Sequence, residues 1–113
     1  MTDRETVDDI GAPEASSLLG GGEAIALDVR EPHEWLHGHI PGALHIPLGE
    51  LGSRLHELPR SSRILAVCRS GNRSALVTDA LRQHGYDVVN LAGGMLSWHR
   101  HGLELEPATG GIA

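Results

Sequence analysis

The chain contains no lysine; all nine of its basic residues are arginine. Schiff-base lysine chemistry is therefore excluded, and any fixed positive charge in a site must come from a guanidinium. It has one cysteine, Cys68, so no disulfide can close within the chain, which suits a reducing compartment. Basic residues are outnumbered by 15 acidic ones, for a net charge of -6. That balance disfavours nucleic acid, whose phosphates need a concentrated basic face. No apolar run approaches the roughly 20 residues of a membrane span. The start MTDRETVDDI is acidic and polar, unlike a secretory leader. Internal repeats and low-complexity blocks are missing as well. These absences point to a cytoplasmic protein that engages neither nucleic acid nor membrane.

What remains is an ordinary globular balance, 113 residues with 40% hydrophobic and 21% charged. One compact domain over 1–113 is expected, with its core at about 6–100 and a weakly patterned, loosely held tail at 102–113. Short apolar runs alternate with helix-like stretches, the pattern of an α/β sheet with helices on its faces. Pro13 opens a helix that Gly20, Gly21 and Gly22 end, and AIALDV (24–29) reads as a buried strand. Pro32 starts a short helix that Gly38 stops, and ALHIP (43–47) reads as a short strand. Leu48, Leu51, Leu55 and Leu58 lay a stripe on the core. RILAV (63–67) is a strong strand that ends directly at Cys68. SALVTDALRQHG (74–85) follows as a helix with Ser74 near its N-cap, then DVVNL (87–91) as a strand and MLSWHRH (95–101) as a last helix. Strands separated by helices favour a mainly parallel sheet, whose ligands sit beyond the carboxyl ends of the strands. Cys68 stands at such an end.

HEWLH (33–37) fits the H-E-x-x-H pattern, in which His33 and His37 would share a zinc ion with Glu34 as general base. The frame is wrong for it. Pro32 and Gly38 leave a helix barely long enough for the pair. The Gly and third His of the longer pattern would fall at Ile40 and Ala43. No metal site is expected.

The run Cys68-Arg69-Ser70-Gly71-Asn72-Arg73-Ser74 has the stronger chemistry. A loop curled at a helix N-terminus turns several backbone N–H groups inward, with the positive end of the helix dipole behind them. Such surroundings stabilise a thiolate. Gly71 lets the backbone turn, Arg69 and Arg73 can add positive charge, and Ser70, Asn72 and Ser74 offer polar groups.

CRSGNRS resembles the active-site loop of rhodanese-type sulfurtransferases. LDVREPHEWLHGHIPGALHIPL (27–48) is similar to that family's Asp-x-Arg strand end followed by Gly-His-Ile-Pro-Gly-Ala, and LAGGMLSW (91–98) to its C-terminal Leu-x-Gly-Gly-x-x-x-Trp segment. The motifs stand in the family's order. The resemblance implies a rhodanese-like α/β fold, a five-stranded, mostly parallel sheet flanked by helices on both faces. It implies that Cys68 attacks the outer sulfur of a small anionic donor such as thiosulfate and carries it as a persulfide. An external thiol or cyanide then accepts the sulfur, with no cofactor. In that frame the Arg69–Arg73 backbone cradles the sulfur and Ser74 helps to close the loop. Arg69 and Arg73 either orient the donor or brace the loop. Asp28 and Arg30 form a structural charge pair, His39 makes a packing or turn hydrogen bond, and Gly93 and Gly94 shape the pocket rim. Trp35 and Trp98 are core or rim aromatics.

Rival readings stay open. Phosphatases and arsenate reductases of the same fold place five residues between Cys and Arg, whereas four separate Cys68 from Arg73, a smaller ring that suits sulfur. Arg69 departs from the Cys-Gly-Ser-Gly-Val loop of mercaptopyruvate sulfurtransferases. A sulfur-relay carrier charged by a partner protein is the main alternative, and an interaction module a lesser one.

Overall fold

The computed structural model describes residues 8–113. The expected start of the core, at residues 6 and 7, lies outside them. The four apolar runs of the sequence become strands β2 (Ala24–Asp28), β3 (Leu44–His45), β4 (Arg63–Val67) and β5 (Val88–Leu91), and a fifth, β1 (Asp9–Ile10), precedes them. They form one sheet in the order β1-β5-β4-β2-β3, and every pairing is parallel. Helices α1 (Ala12–Gly20), α2 (Pro32–His37), α3 (Asn72–Gln83) and α4 (Gly94–Arg100), with a 3-10 helix at Leu48–Glu57, make the crossovers. Among the described residues no helix is long and apolar enough to cross a membrane.

The period-2 alternation of β4 divides the core. Ile64, Ala66 and Cys68 face one way, into a cluster with Val77 and Leu81 of α3 and Leu51 and Leu58. Leu65 and Val67 face the other way, onto Ala12 and Ala15 of α1 and Met95 and Trp98 of α4. Cys68 therefore continues the strand's inward alternation on the α3 side, directly under the start of that helix. From β2 the chain leaves towards β3 on one side, and from β4 it leaves towards β5 on the other. The crevice at the carboxyl ends of β2 and β4 is thus the switch point where such folds place their chemistry.

Four local expectations change. The two-residue β1 was not legible as a strand; its parallel pairing with β5 defines it. The leucine stripe forms a 3-10 helix, kinked at Arg54, and the three-residue spacings Leu48–Leu51 and Leu55–Leu58 match that tighter period. It buries Leu51 and Leu58 but leaves Leu48 exposed. Helix α3 begins earlier than expected, with Gly71 as N-cap, so Ser74 lies inside its first turn, fully buried, rather than capping it. The tail is packed rather than loose. His39 and Glu106 exchange backbone hydrogen bonds of 3.1 and 2.8 Å, and the Gly111 N–H donates to the His37 carbonyl at 2.9 Å. The Trp98 indole donates to the Glu104 carbonyl at 2.7 Å. Leu103, Leu105 and Ile112 pack on the α1–α4 core, without the regular spacing that would have marked them as core residues.

Candidate active site

At the end of β4 the chain curls over Cys68, whose side chain has no exposed surface. Its Sγ accepts hydrogen bonds from the N–H of Gly71 at 3.1 Å and the N–H of Ser74 at 3.4 Å. The Ser74 Oγ lies 3.3 Å from Sγ. It also lies 2.5 Å from the Oδ1 of Asn90 on β5. Burial alone pushes the Cys68 thiol up. The Ser74 hydroxyl, when turned to the sulfur, and the N–H groups of Ser74, Gly71 and Ser70 outweigh it and leave the thiol below its ordinary value.

The loop's carbonyls are held from behind. Those of Cys68 and Arg69 accept from the first N–H groups of α4, Met95 at 2.9 Å and Leu96 at 3.0 Å. These contacts satisfy donors that a helix start leaves unpaired, and they turn the loop's own N–H groups inward. The approach is close. Gly71, at φ +101°, lies against the backbone of Leu91 and Gly93, and Gly94, at φ +59°, lies against the Cys68 and Arg69 carbonyls. Both positions need a backbone without Cβ.

On the opposite rim Arg73 makes a two-pronged ion pair with Glu34 of α2, at 2.9 and 2.8 Å. The other oxygen-directed donor on Glu34 is the Glu31 N–H, at 2.9 Å. Below them, Arg30 and Asp28 are fully buried and bonded at 2.8–3.1 Å, and the same guanidinium donates to the Gly38 carbonyl at 2.8 Å. This pair fixes the turn leading into α2. Arg69 points outward, its Nε donating to the Ala113 carbonyl at 2.6 Å. The arrangement can stabilise an anionic sulfur at Cys68, and it sets the exposed guanidinium of Arg69 outside the loop.

A family model for the rhodanese-like domain matches residues 11–101. The chain belongs to that family. A sulfurtransferase from Allochromatium vinosum is 39% identical over 101 residues, which cover 88% of this chain and 94% of that protein. The crystal structure of a rhodanese-related protein from Thermoplasma volcanium superposes with a TM-score of 0.82 at 33% identity, over 86% of this chain and 95% of that one. A thiosulfate sulfurtransferase from Pseudomonas aeruginosa superposes at 0.79 and 31% identity, over 98% of this chain but only 23% of its own.

Within this rhodanese-like domain, the structure brings Cys68, Gly71 and Ser74 together, with Gly93 and Gly94 at their back. Ser70 and Asn72 lie exposed on the outer turn. Of the N–H groups expected from Arg69 to Arg73, those of Gly71 and Ser70 act on Sγ, joined by Ser74's, because α3 starts early enough to bring Ser74 round. His39 donates from Nδ1 to the Trp35 carbonyl at 3.0 Å and stacks on the Trp35 ring at 3.5 Å. Trp35 lies between His39 and His45, and Trp98 is core. The HEWLH letters are spent on this architecture: Glu34 holds Arg73, and His37 donates to the His33 carbonyl at 3.0 Å. Two residues went unmarked in the sequence, Glu34 as partner of Arg73 and Asn90 beside Ser74. Asn90 had a signal: it is the one polar residue inside the apolar strand VVNL.

The Arg73 ion pair has a pH signature. The Arg73 guanidinium draws the Glu34 carboxyl down from 4.5 to about 2, against the opposing effect of burial. A carboxyl lowered in the folded state stabilises it fully above the unfolded value and ceases to do so as pH falls through about 2. Because Arg73 is 35% exposed, water screens part of this coupling, leaving a contribution of about 1–2 kcal/mol. Glu34→Gln should be less stable than wild type by that amount at pH 7, with the gap closing between about pH 5 and pH 2. Denaturant melts across that range check it, and a gap independent of pH would count against the ion pair.

Proposed function

We propose that this chain moves a sulfane sulfur from thiosulfate, or a similar small anionic donor, to an external thiol or to cyanide. The Cys68 thiolate attacks the outer sulfur of thiosulfate. The donor's S–S bond breaks, sulfite leaves with its electron pair, and a Cys68 persulfide anion remains. The acceptor nucleophile then attacks the terminal sulfur, and the thiolate returns as leaving group. The observation that carries this reading is the ring of N–H groups around a buried cysteine sulfur at the α3 N-terminus, preorganised for negative charge on sulfur. As the only cysteine, Cys68 has no partner in the chain to resolve the persulfide, so the acceptor comes from outside.

The purified protein incubated with thiosulfate should gain one sulfur atom on Cys68, and cyanide should release it as thiocyanate. An unchanged mass with no thiocyanate would refute thiosulfate as donor. Loading only by a persulfide-bearing protein would establish the relay-carrier reading instead, and aryl phosphate hydrolysis outpacing sulfur transfer would establish the phosphatase one.

Arg69 is exposed beside Cys68, so its charge can attract an incoming dianion. Arg69→Ala should raise KM for thiosulfate about 5–10-fold with a smaller change in kcat, since one exposed charge contributes on the order of 1 kcal/mol to attraction. Steady-state kinetics at low and high salt check it; the difference should shrink in high salt.

A further inference from the structure

The Ser74 hydroxyl has one proton and two candidates for it. Asn90 Oδ1 lies 2.5 Å away and Cys68 Sγ 3.3 Å away. The orientation of the Asn90 amide is fixed from its other side. Its Nδ2 donates to the Asp9 carboxylate at 3.1 Å and to the Gly71 carbonyl at 3.2 Å, and neither oxygen could face an amide oxygen without repulsion. Oδ1 is thus the atom that faces Ser74. Two oxygens at 2.5 Å need a proton between them, and Ser74 alone can supply it. In the arrangement observed, Ser74 therefore presents a lone pair to Cys68. That suits a sulfur bearing a proton, which can donate to Oγ. It does not suit a thiolate, which needs the hydroxyl turned towards it.

We propose that Asn90 is a positioning residue that holds the Ser74 proton away from Cys68 while the sulfur is neutral and yields it when the sulfur becomes anionic. The placement follows from the strand: Ala66 on β4, Cys68 just past its end, and Val88 and Asn90 on the neighbouring β5 share the α3 face of the sheet. Asn90 is 4% exposed, and Ser74 and Cys68 have no exposed surface, so water does not compete for the proton. The charged groups around this chain of bonds are Asp9 on β1, Arg73 on α3 with its partner Glu34 on α2, the Asp28–Arg30 pair at the end of β2, and Arg69 in the loop. Helix α4 faces it through Gly93 and Gly94. The part this exchange plays in turnover rests on the sulfur-transfer reading above; the exchange itself does not.

The test is the midpoint of the pH dependence of Cys68 alkylation by iodoacetamide, which needs no sulfur donor. Asn90→Leu accepts no proton, frees the hydroxyl for the thiolate, and should lower the midpoint by about one unit. Asn90→Asp holds the proton more firmly and should raise it by about one unit. Ser74→Ala should raise it too, and Ser74→Ala/Asn90→Leu should match Ser74→Ala alone. Shifts of the same sign in both Asn90 variants would overturn the proposal, since a residue that merely supports the loop gives that result. So would a further shift on adding Asn90→Leu to Ser74→Ala. Should Asn90→Leu not fold, Asn90→Asp decides by itself: an unchanged or lowered midpoint overturns the proposal. Failure of thiosulfate to load the wild type leaves these midpoints untouched, so the two readings fail separately.

Discussion

Cys68→Ser should fold as the wild type does and transfer no sulfur. The side chain is fully buried, and its polar partners are the N–H groups of Gly71, Ser74 and Ser70 and the Ser74 hydroxyl. A serine oxygen accepts from the same donors and is slightly smaller, so the loop loses neither its hydrogen bonds nor its shape. The stability change should stay within about 1 kcal/mol, a few degrees in Tm. Chemistry is another matter. A hydroxyl buried among hydrogen-bond donors does not ionise near neutral pH, and its oxygen cannot carry sulfane sulfur as a persulfide does. No second cysteine can take its place. Thiocyanate formation should fall more than about a thousandfold, to the uncatalysed background, and the sulfur-atom mass gain should vanish. A variant that still turns over would show that another group is the nucleophile.

How far the sequence shows this site depends on what each residue's role leaves in the local pattern. Strand β4 is legible because it is five residues of mostly apolar chain, and Cys68 because polar and glycine residues follow it at once. Local order also shows in α2, where Pro32 opens the helix and Gly38 ends it. Asp9–Ile10 is too short to have a period, and only its partner β5 makes it a strand. The Glu34–Arg73 pair spans 39 residues, so nothing beside either one marks the other. The same holds for Arg69 and Ala113, which lie 44 apart. Ser74 reads as lying at or near the cap because Ser is a good one; the structure gives that position to Gly71, whose φ of +101° a Cβ would strain. The first motif to catch the eye, HEWLH, shows the same limit from the other side. Its spacing is right for a metal, yet the three-dimensional partner of Glu34 is an arginine.

Gly94→Ala should be the most damaging change that touches no reacting atom. An added Cβ would lie 2.5 Å from the Cys68 carbonyl oxygen and closer still to that of Arg69. Both are backbone atoms, so no side-chain rotation relieves the overlap. The φ of +59° adds strain for any residue with a Cβ. Either α4 moves away, breaking the bonds from Met95 and Leu96 to those carbonyls, or the carbonyls rotate. The N–H groups that point at sulfur belong to the same short run of peptide planes, so rotation spoils the ring that stabilises the thiolate. We expect a loss of about 3–5 kcal/mol, or roughly 10–20 °C in Tm. Sulfur transfer should fall on the order of a hundredfold in the protein that remains folded, as expected for a misplacement near 1 Å. The alkylation midpoint of Cys68 should rise towards that of an ordinary thiol. Gly52→Ala is the matched control. A Cβ there meets nothing within 4 Å, and the substitution should leave stability and sulfur transfer unchanged. If Gly94→Ala melted and turned over like that control, the fit between the Gly93–Gly94 turn and the cysteine loop would not be what shapes the site.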